Sequence, residues 1–270
     1  MRLFWILTLT LLGYIYTTQN EPFSFFKSLL PSHRSPCEAF ATTLSTQALS
    51  ESLYQQYPEA SLLDIRQEFV PYLKLRANHI QESLSVESGV ILWSLRDGEM
   101  VLNTKTWGKT HGLGDCLRAR VNAKELQLLR FVSQQERHTI ALSRLQNIFR
   151  QQGEKQTELA LESCIDKGLL VRQGSHVMLY FHNPIWPSLP YTQENRLIAW
   201  TSLERRQTIQ AMFHAENVLP FIEQLFVGKQ LRVRSYQIVF LPIYRLLFKW
   251  KGETQSLYLN GITGGTYNLE

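Results

Sequence analysis

The sequence predicts an α+β chain: an N-terminal membrane-anchor helix, a region of helices and a β-hairpin, a central block of three short helices and two strands, and C-terminal helices with a small antiparallel sheet. Three observations predict it. An uncharged apolar run opens the chain, apolar residues recur at helical spacing through the middle, and the spacing falls to two near Gly89 and again beyond Leu231. With 44% apolar and 19% charged residues, the chain is globular and not disordered.

After Met1 and Arg2, no charge appears until Glu21. Leu3, Phe4, Trp5, Ile6, Leu7, Leu9, Leu11, Leu12 and Ile15 are the residues that would enter a bilayer. The run is slightly short of the roughly 20 residues that span one comfortably. Its exit, Tyr14-Ile15-Tyr16, suits a membrane interface and offers no small-residue cleavage site. The expectation is an uncleaved single-pass anchor over 1–20, with secretion after cleavage as the alternative. Arg2 and the α-amine precede the run, so the positive-inside tendency places the N-terminus in the cytoplasm and exports the body. Residues 21–36, with Pro31 and Pro36, read as a linker.

Residues 37–121 read as helices followed by a hairpin. Phe40, Leu44, Leu49 and Leu53 suggest one helix over Cys37–Tyr57. Leu62, Ile65 and Phe69 suggest a second, ending before Pro71, because the residue before proline is driven out of the helical region. From Gly89 to Thr106 two runs of alternating residues flank Asp97-Gly98, a signal for a type I′ hairpin turn. His111 and Cys116 share a glycine-rich stretch, but catalytic pairs are assembled in space and not in sequence, so the stretch reads as a connection.

The central block spans 122–183. Asn122 with Glu125 makes an N-cap, and Leu126, Leu129 and Val132 form one helical stripe. Ile140, Leu142 and Leu145 mark a second helix, and Leu159 and Ile165 a third that Gly168 should stop. Lys167-Gly168-Leu169-Leu170, a turn at Gln173-Gly174-Ser175 and a return over Val177–Phe181 complete the pattern. This block resembles a winged-helix domain, a helix-turn-helix variant found in DNA-binding proteins and in proteins that bind only other proteins. The resemblance implies that the third helix is the recognition element. That helix carries Glu154, Glu158, Glu162 and Asp166 at strict i+4 spacing, opposed only by Lys155 and Lys167. Phosphate contacts supply most of non-specific DNA affinity, and a carboxylate ridge repels phosphate. The ordinary reading is a solvated face; the functional one is a docking face for a basic partner. DNA is disfavoured.

Beyond the block, Pro184, Pro187 and Pro190 make 184–191 a stiff connector, and 192–270 an α-β module. Gln193–Asn217 reads as a helix, and Pro220 fits the opening of another. Leu231–Leu241, Ile243–Lys251 and Ser256–Leu259 read as three strands separated by Pro242 and by Lys251-Gly252-Glu253. Arg245, Lys249 and Lys251 alternate with Tyr244, Leu246, Phe248 and Trp250, so cations and apolar groups fall on opposite faces. Such alternation ordinarily marks a solvated sheet face. Its functional reading is attraction to anionic lipid headgroups or an acidic partner. The ending FKWKGETQSLYLNGITGGTYN resembles the last strands of PepSY-type domains, which are small envelope modules.

No phosphate-binding loop, zinc-protease helix, nucleophile elbow or dinucleotide fingerprint occurs. Cys37, Cys116 and Cys164 have no metal-ligand spacing, and a Cys37–Cys116 disulfide stays open if the body is exported. The seven histidines are scattered, and no cofactor or metal site is expected. The sequence therefore points to a membrane-anchored, non-enzymatic protein that binds other proteins. The alternative is a membrane-tethered regulator using Arg130, Arg137, Arg144, Arg150 and Arg172 on phosphates. An exported hydrolase without a local signature comes third.

Overall fold

The computed structural model describes residues 37–269, apart from 43, 81–85, 152–156, 194–197, 202, 204–206, 227 and 229. In chain order come β1 (Cys37–Phe40), α1 (Thr46–Gln56), β2 (Ser61–Ile80), β3 (Val86–Ser94), β4 (Met100–Asn103) and β5 (Gly108–Lys109). Next are α2 (Leu113–Arg118), α3 (Ala123–Ser133), β6 (Thr139–Ala141), α4 (Leu142–Gln151), α5 (Thr157–Asp166), β7 (Leu170–Gln173) and β8 (His176–Leu179). The last are β9 (Ile198–Thr201), α6 (Ala215–Leu225), β10 (Arg232–Trp250) and β11 (Glu253–Asn260).

The α+β class holds, but the large sheet draws on both ends of the body. Its order is β5-β4-β3-β2-β10-β1-β9, with β11 also on β10. Strands from 37–121 and from 192–270 thus share one sheet, within one compact unit, Cys37–Glu270. The anchor and linker expected at 1–36 lie outside the described residues. Elsewhere, no helix among the described residues is long and apolar enough to cross a membrane.

Several expectations are corrected, each because tertiary pairing overrides local spacing. Cys37–Phe40 is a strand between β10 and β9, and the helix begins only at Thr46, capped by Ser45 Oγ accepting from Ala48 N at 3.2 Å. The stretch after Pro58 is β2, not a helix, and Pro71 lies within it. Pro71 turns its carbonyl to Leu95 N at 3.0 Å, on the β3 side, so its nitrogen points there too and β10 loses no bond. Pro242 likewise sits inside a continuous β10; its carbonyl accepts from Gly261 N at 2.8 Å, where β1 ends and β11 begins along the same edge.

The described part of Gln193–Asn217 is not one helix: it holds β9, an extended stretch that reaches Phe69 O through Ile209 N at 2.8 Å, and the first three residues of α6. Pro220 lies inside α6 rather than opening a helix, on its exposed side with Glu216, whose carbonyl loses the helical partner a proline cannot supply. The Asp97-Gly98 turn is a four-residue loop, Leu95–Gly98, closed by Ser94 N donating to Glu99 O at 2.9 Å. Only Gly98 there has positive φ, whereas a type I′ turn needs two such residues.

The central unit follows the order α3, β6, α4, α5, β7, β8, with the three strands paired β6-β8-β7. Ile140, expected in the second helix, instead belongs to β6. The unit packs on one face of the large sheet, where Leu73, Leu75, Ile91 and Trp93 join Leu129, Val132, Leu161 and Phe221 in one buried core. The opposite face holds Tyr72, Leu92, Trp107, Leu241 and Tyr267. A third core seats Leu49 and Leu53 of α1 on Leu246, Phe248 and Leu259; each such leucine contributes about 2 kcal/mol.

The Pro-rich connector lies along the hairpin. Thr192 Oγ1 accepts from Leu92 N at 2.9 Å and donates to Val101 O at 2.6 Å, bridging β3 and β4. Gly89 permits this approach, since a Cβ there would stand 2.7 Å from Tyr191 Cβ.

Glu125 fastens the central unit. It completes the capping box with Asn122 and accepts from Ser163 Oγ at 2.5 Å and Lys167 Nζ at 2.6 Å, both at or just past the end of α5. Burial alone would raise its pKa, but bonds from Lys167, Ser163 and Asn122, with the Lys167 charge, hold it below the ordinary 4.5. Its contribution to stability is therefore full above pH 4.5 and lost as pH falls through the lowered value. Glu125→Ala is expected to lower stability in urea denaturation by about 2–3 kcal/mol at neutral pH. The deficit should shrink on acidification; a deficit constant down to pH 3, or none at neutral pH, would contradict this role.

Candidate functional site

A polar cleft of about 480 Å³ lies between the 97–118 stretch and the C-terminal turn. Gly98 lets the hairpin loop fold onto α2, and a Cβ on Gly114 would collide with the Asp97 carbonyl. The loop thereby delivers Asp97 and Glu99, β5 delivers Lys109, and the turn after β11 delivers Tyr267.

Two networks fill it. Glu99 accepts from Thr110 Oγ1 at 2.7 Å, Gly112 N at 2.9 Å, Gly114 N at 2.9 Å and Leu113 N at 3.3 Å, holding the opening of α2 from outside the helix. Burial raises its pKa more than these bonds lower it, with Asp97 adding repulsion. In the second network Lys109 Nζ pairs with Asp97 and lies 5.1 Å from the Tyr267 ring centre. Tyr267 and Tyr72 share a hydroxyl bond at 3.0 Å, and Trp107 Nε1 donates to Tyr72 at 3.1 Å. Burial, then Tyr267 and Asp97, push the Tyr72 hydroxyl well above its usual range. Arg96 fixes the tail by donating to Leu269 O at 3.2 and 3.1 Å.

These groups bind one another. Asp97 and Lys109 neutralise each other, and Glu99 is saturated by donors from α2 and Thr110. Burial pushes the Cys164 thiol up to about 12 and Cys116 higher still, so neither supplies a thiolate. The cleft has the chemistry of a polar fastener for the C-terminal turn. Sequence reasoning missed it because Tyr72 and Tyr267 carry no local signal. Cys116 and Cys164 are free thiols, so the Cys37–Cys116 pairing is not formed. Among the described residues, no group of three His, Cys, Asp or Glu could hold a metal ion.

The third helix is α5. Glu158, Glu162 and Asp166 are all exposed along it, while Glu154 lies outside the described residues. Leu159, expected in the buried stripe, is 74% exposed beside them; Ala160, Leu161 and Cys164 do the packing. The basic row on β10 is not kept whole. Lys249 is exposed, but half-buried Arg245 lies 5.9 Å from the Tyr258 ring and donates to Ser256 Oγ at 3.3 Å. Lys251 leaves the row in a turn, with its Nζ 4.3 Å from the Trp250 ring. An aromatic therefore does share a side with Arg245, contributed by the neighbouring strand. The anchor residues Leu3–Ile15 lie outside the described residues.

Comparison with family models, curated proteins and solved structures gave no match.

Two outcomes check the site. Cys116 and Cys164 should resist iodoacetamide at neutral pH in the folded chain and react once it is denatured, read by mass spectrometry; rapid modification in the folded chain would refute their burial. The raised pKa of Glu99 means its contribution is full below pH 4.5 and lost as pH rises through the raised value. Glu99→Gln should flatten that part of the stability profile at a loss of about 1 kcal/mol, while Glu99→Ala, leaving buried amides unpaired, should lose about 3 kcal/mol. Equal effects of the two would contradict the bonding scheme.

Proposed function

We propose that this is a membrane-anchored, non-enzymatic protein whose central unit is a winged helix used to bind another protein through α5. One observation carries the reading: the exposed side of α5 presents Glu158, Glu162 and Asp166 around the exposed Leu159. In a winged helix this is the element that would enter a DNA groove, and its carboxylates repel phosphate. An apolar side chain amid carboxylates instead suits a basic, amphipathic partner surface. The element order and the paired β6-β8-β7 strands support the winged-helix assignment. The uncharged run Leu3–Thr18 supports the anchor, and Arg2 before it supports a body outside the cytoplasm.

A second reading, a tethered DNA-binding regulator, is favoured by the exposure of Arg130, Arg137, Arg144 and Arg172. It requires the body in the cytoplasm and affinity that falls steeply with salt.

Photo-cross-linking from position 159 of the full-length protein in its own membrane separates them. The expected result is one discrete adduct with a basic protein, lost in Glu158→Lys/Glu162→Lys/Asp166→Lys and absent when the cross-linker sits at Gln127 on α3. An adduct with DNA would establish the second reading. An adduct indifferent to the charge reversal, or none at all, would sink the first.

A further inference from the structure

The fastening bonds do not fill the cleft beside the C-terminal turn. About 480 Å³ stays open, inside the range of about 300–1,000 Å³ in which small-molecule sites fall. The charges around it are spent on one another. Lys109 pairs with Asp97, and Arg118 with Asp115 at 2.6 Å. Glu99 receives four donors, about as many as its two oxygens accept. An ion entering the cleft therefore finds no unpaired carboxylate, lysine or arginine to meet it, and the groups left to bind a ligand are neutral.

Asn260 is the chief of these. It ends β11, lines the cleft and is only 3% exposed. Its side-chain oxygen accepts from Ile262 N at 2.8 Å and Thr263 N at 3.2 Å, which fixes the amide and turns Nδ2 away from that turn. Among the described residues Nδ2 has no hydrogen-bond partner, and unlike the sealed Trp93 and Trp186 nitrogens it keeps some open surface. Such a donor has only the contents of the cleft to bond. Nearby, the Thr106 and Thr263 hydroxyls accept from Gly108 N and Gly265 N, both at 3.3 Å, so each keeps its proton for another acceptor. Trp107 and Tyr267 turn their polar atoms to Tyr72 and leave ring carbon to the cleft.

We propose that the cleft binds a neutral saccharide, with the Asn260 amide as its anchoring donor. The paired charges exclude an ionic ligand as the preferred one. The amide N–H groups require acceptors, and the threonine hydroxyls require partners that both give and take a hydrogen bond. The hydroxyls of one sugar ring do both, and the C–H groups of the same ring suit the ring carbon of Trp107 and Tyr267. The cleft is separate from α5, and the inference does not depend on what α5 binds.

The test uses the full chain in a deuterated, sugar-free detergent and saturation-transfer difference NMR with glucose, maltose, cellobiose and N,N′-diacetylchitobiose. At least one should bind at millimolar concentration, equally at low and high salt, because no charge pairs with it. Tighter binding of a disaccharide marks a glycan chain as the source and preference for glucose a free sugar, and either supports the proposal. Glucose 6-phosphate and glucosamine should bind no better than glucose. Asn260→Asp keeps an oxygen for Ile262 N and Thr263 N and turns the free donor into an acceptor. It should leave the thermal melt unchanged and weaken binding about tenfold, the effect of roughly 1.4 kcal/mol. Should that variant melt lower, Thr266→Trp, at an exposed position lining the cleft, gives the decisive reading by filling it. Binding that survives the well-folded variant, tighter binding of a charged derivative, or no binding by any of the four sugars would overturn the proposal. Charge reversal on α5 should leave sugar binding intact, so failure here does not count against the reading of α5.

Discussion

The pairing of β2 with β10 is the constraint on which the rest depends. It joins Ser61–Ile80 to Arg232–Trp250, across the whole central unit. The entropy of closing so long a loop rises only logarithmically with its length, so stability bears the separation well. Folding speed bears it less well, because non-local strand pairs form late. Three strands add directly to this pair, β3 along the second half of β2, β11 along the second half of β10 and β1 before it, and β4, β5 and β9 build outward from those. The helices of the central unit and the Tyr72–Tyr267 network occupy opposite faces of the same sheet.

Two prolines mark where this pair is interrupted on its outer sides. Pro71 stands opposite Phe240, and Pro242 opposite Phe69, two registers apart. In the middle of a sheet a proline removes a ladder bond. Here both nitrogens point outward, one to the hairpin loop and one to the joint between β1 and β11. The shared ladder therefore loses nothing, and the sequence cue that usually ends a strand instead marks a change of neighbour.

That inversion explains what could be read from the chain alone. The central helices and hairpin were legible because their signals are local: Asn122 with Glu125 at one end, Gly168 at the stop, and the Gly174 turn. β2 was not, since Leu62, Ile65 and Phe69 fit helical spacing and only a partner some 180 residues away makes the segment a strand. β1 and the stretch around β9 failed likewise. The acidic residues of α5 were legible as a ridge because i+4 spacing is geometry; the exposure of Leu159 was not, because spacing alone does not say which apolar residue is left outside. The cleft was illegible for the reason β2 was: Tyr72 and Tyr267 meet only through the sheet.

The bridge between His111 and Ile185 has an evolutionary consequence. His111 N donates to Ile185 O, and Ile185 N to His111 O, both at 3.0 Å. The polypeptide thus departs toward the central unit and comes back through a single neck, whose two sides lie about 5.5 Å apart at Cα, as in any such bonded antiparallel pair. In genetic terms residues 112–184 have the form of a cassette, and a linker of a few residues would rejoin the strands on either side. Loss of that cassette would leave every strand of the large sheet in place but bare Leu73, Leu75, Ile91 and Trp93, so the sheet and the helical unit are bound to stay together although a single neck joins them.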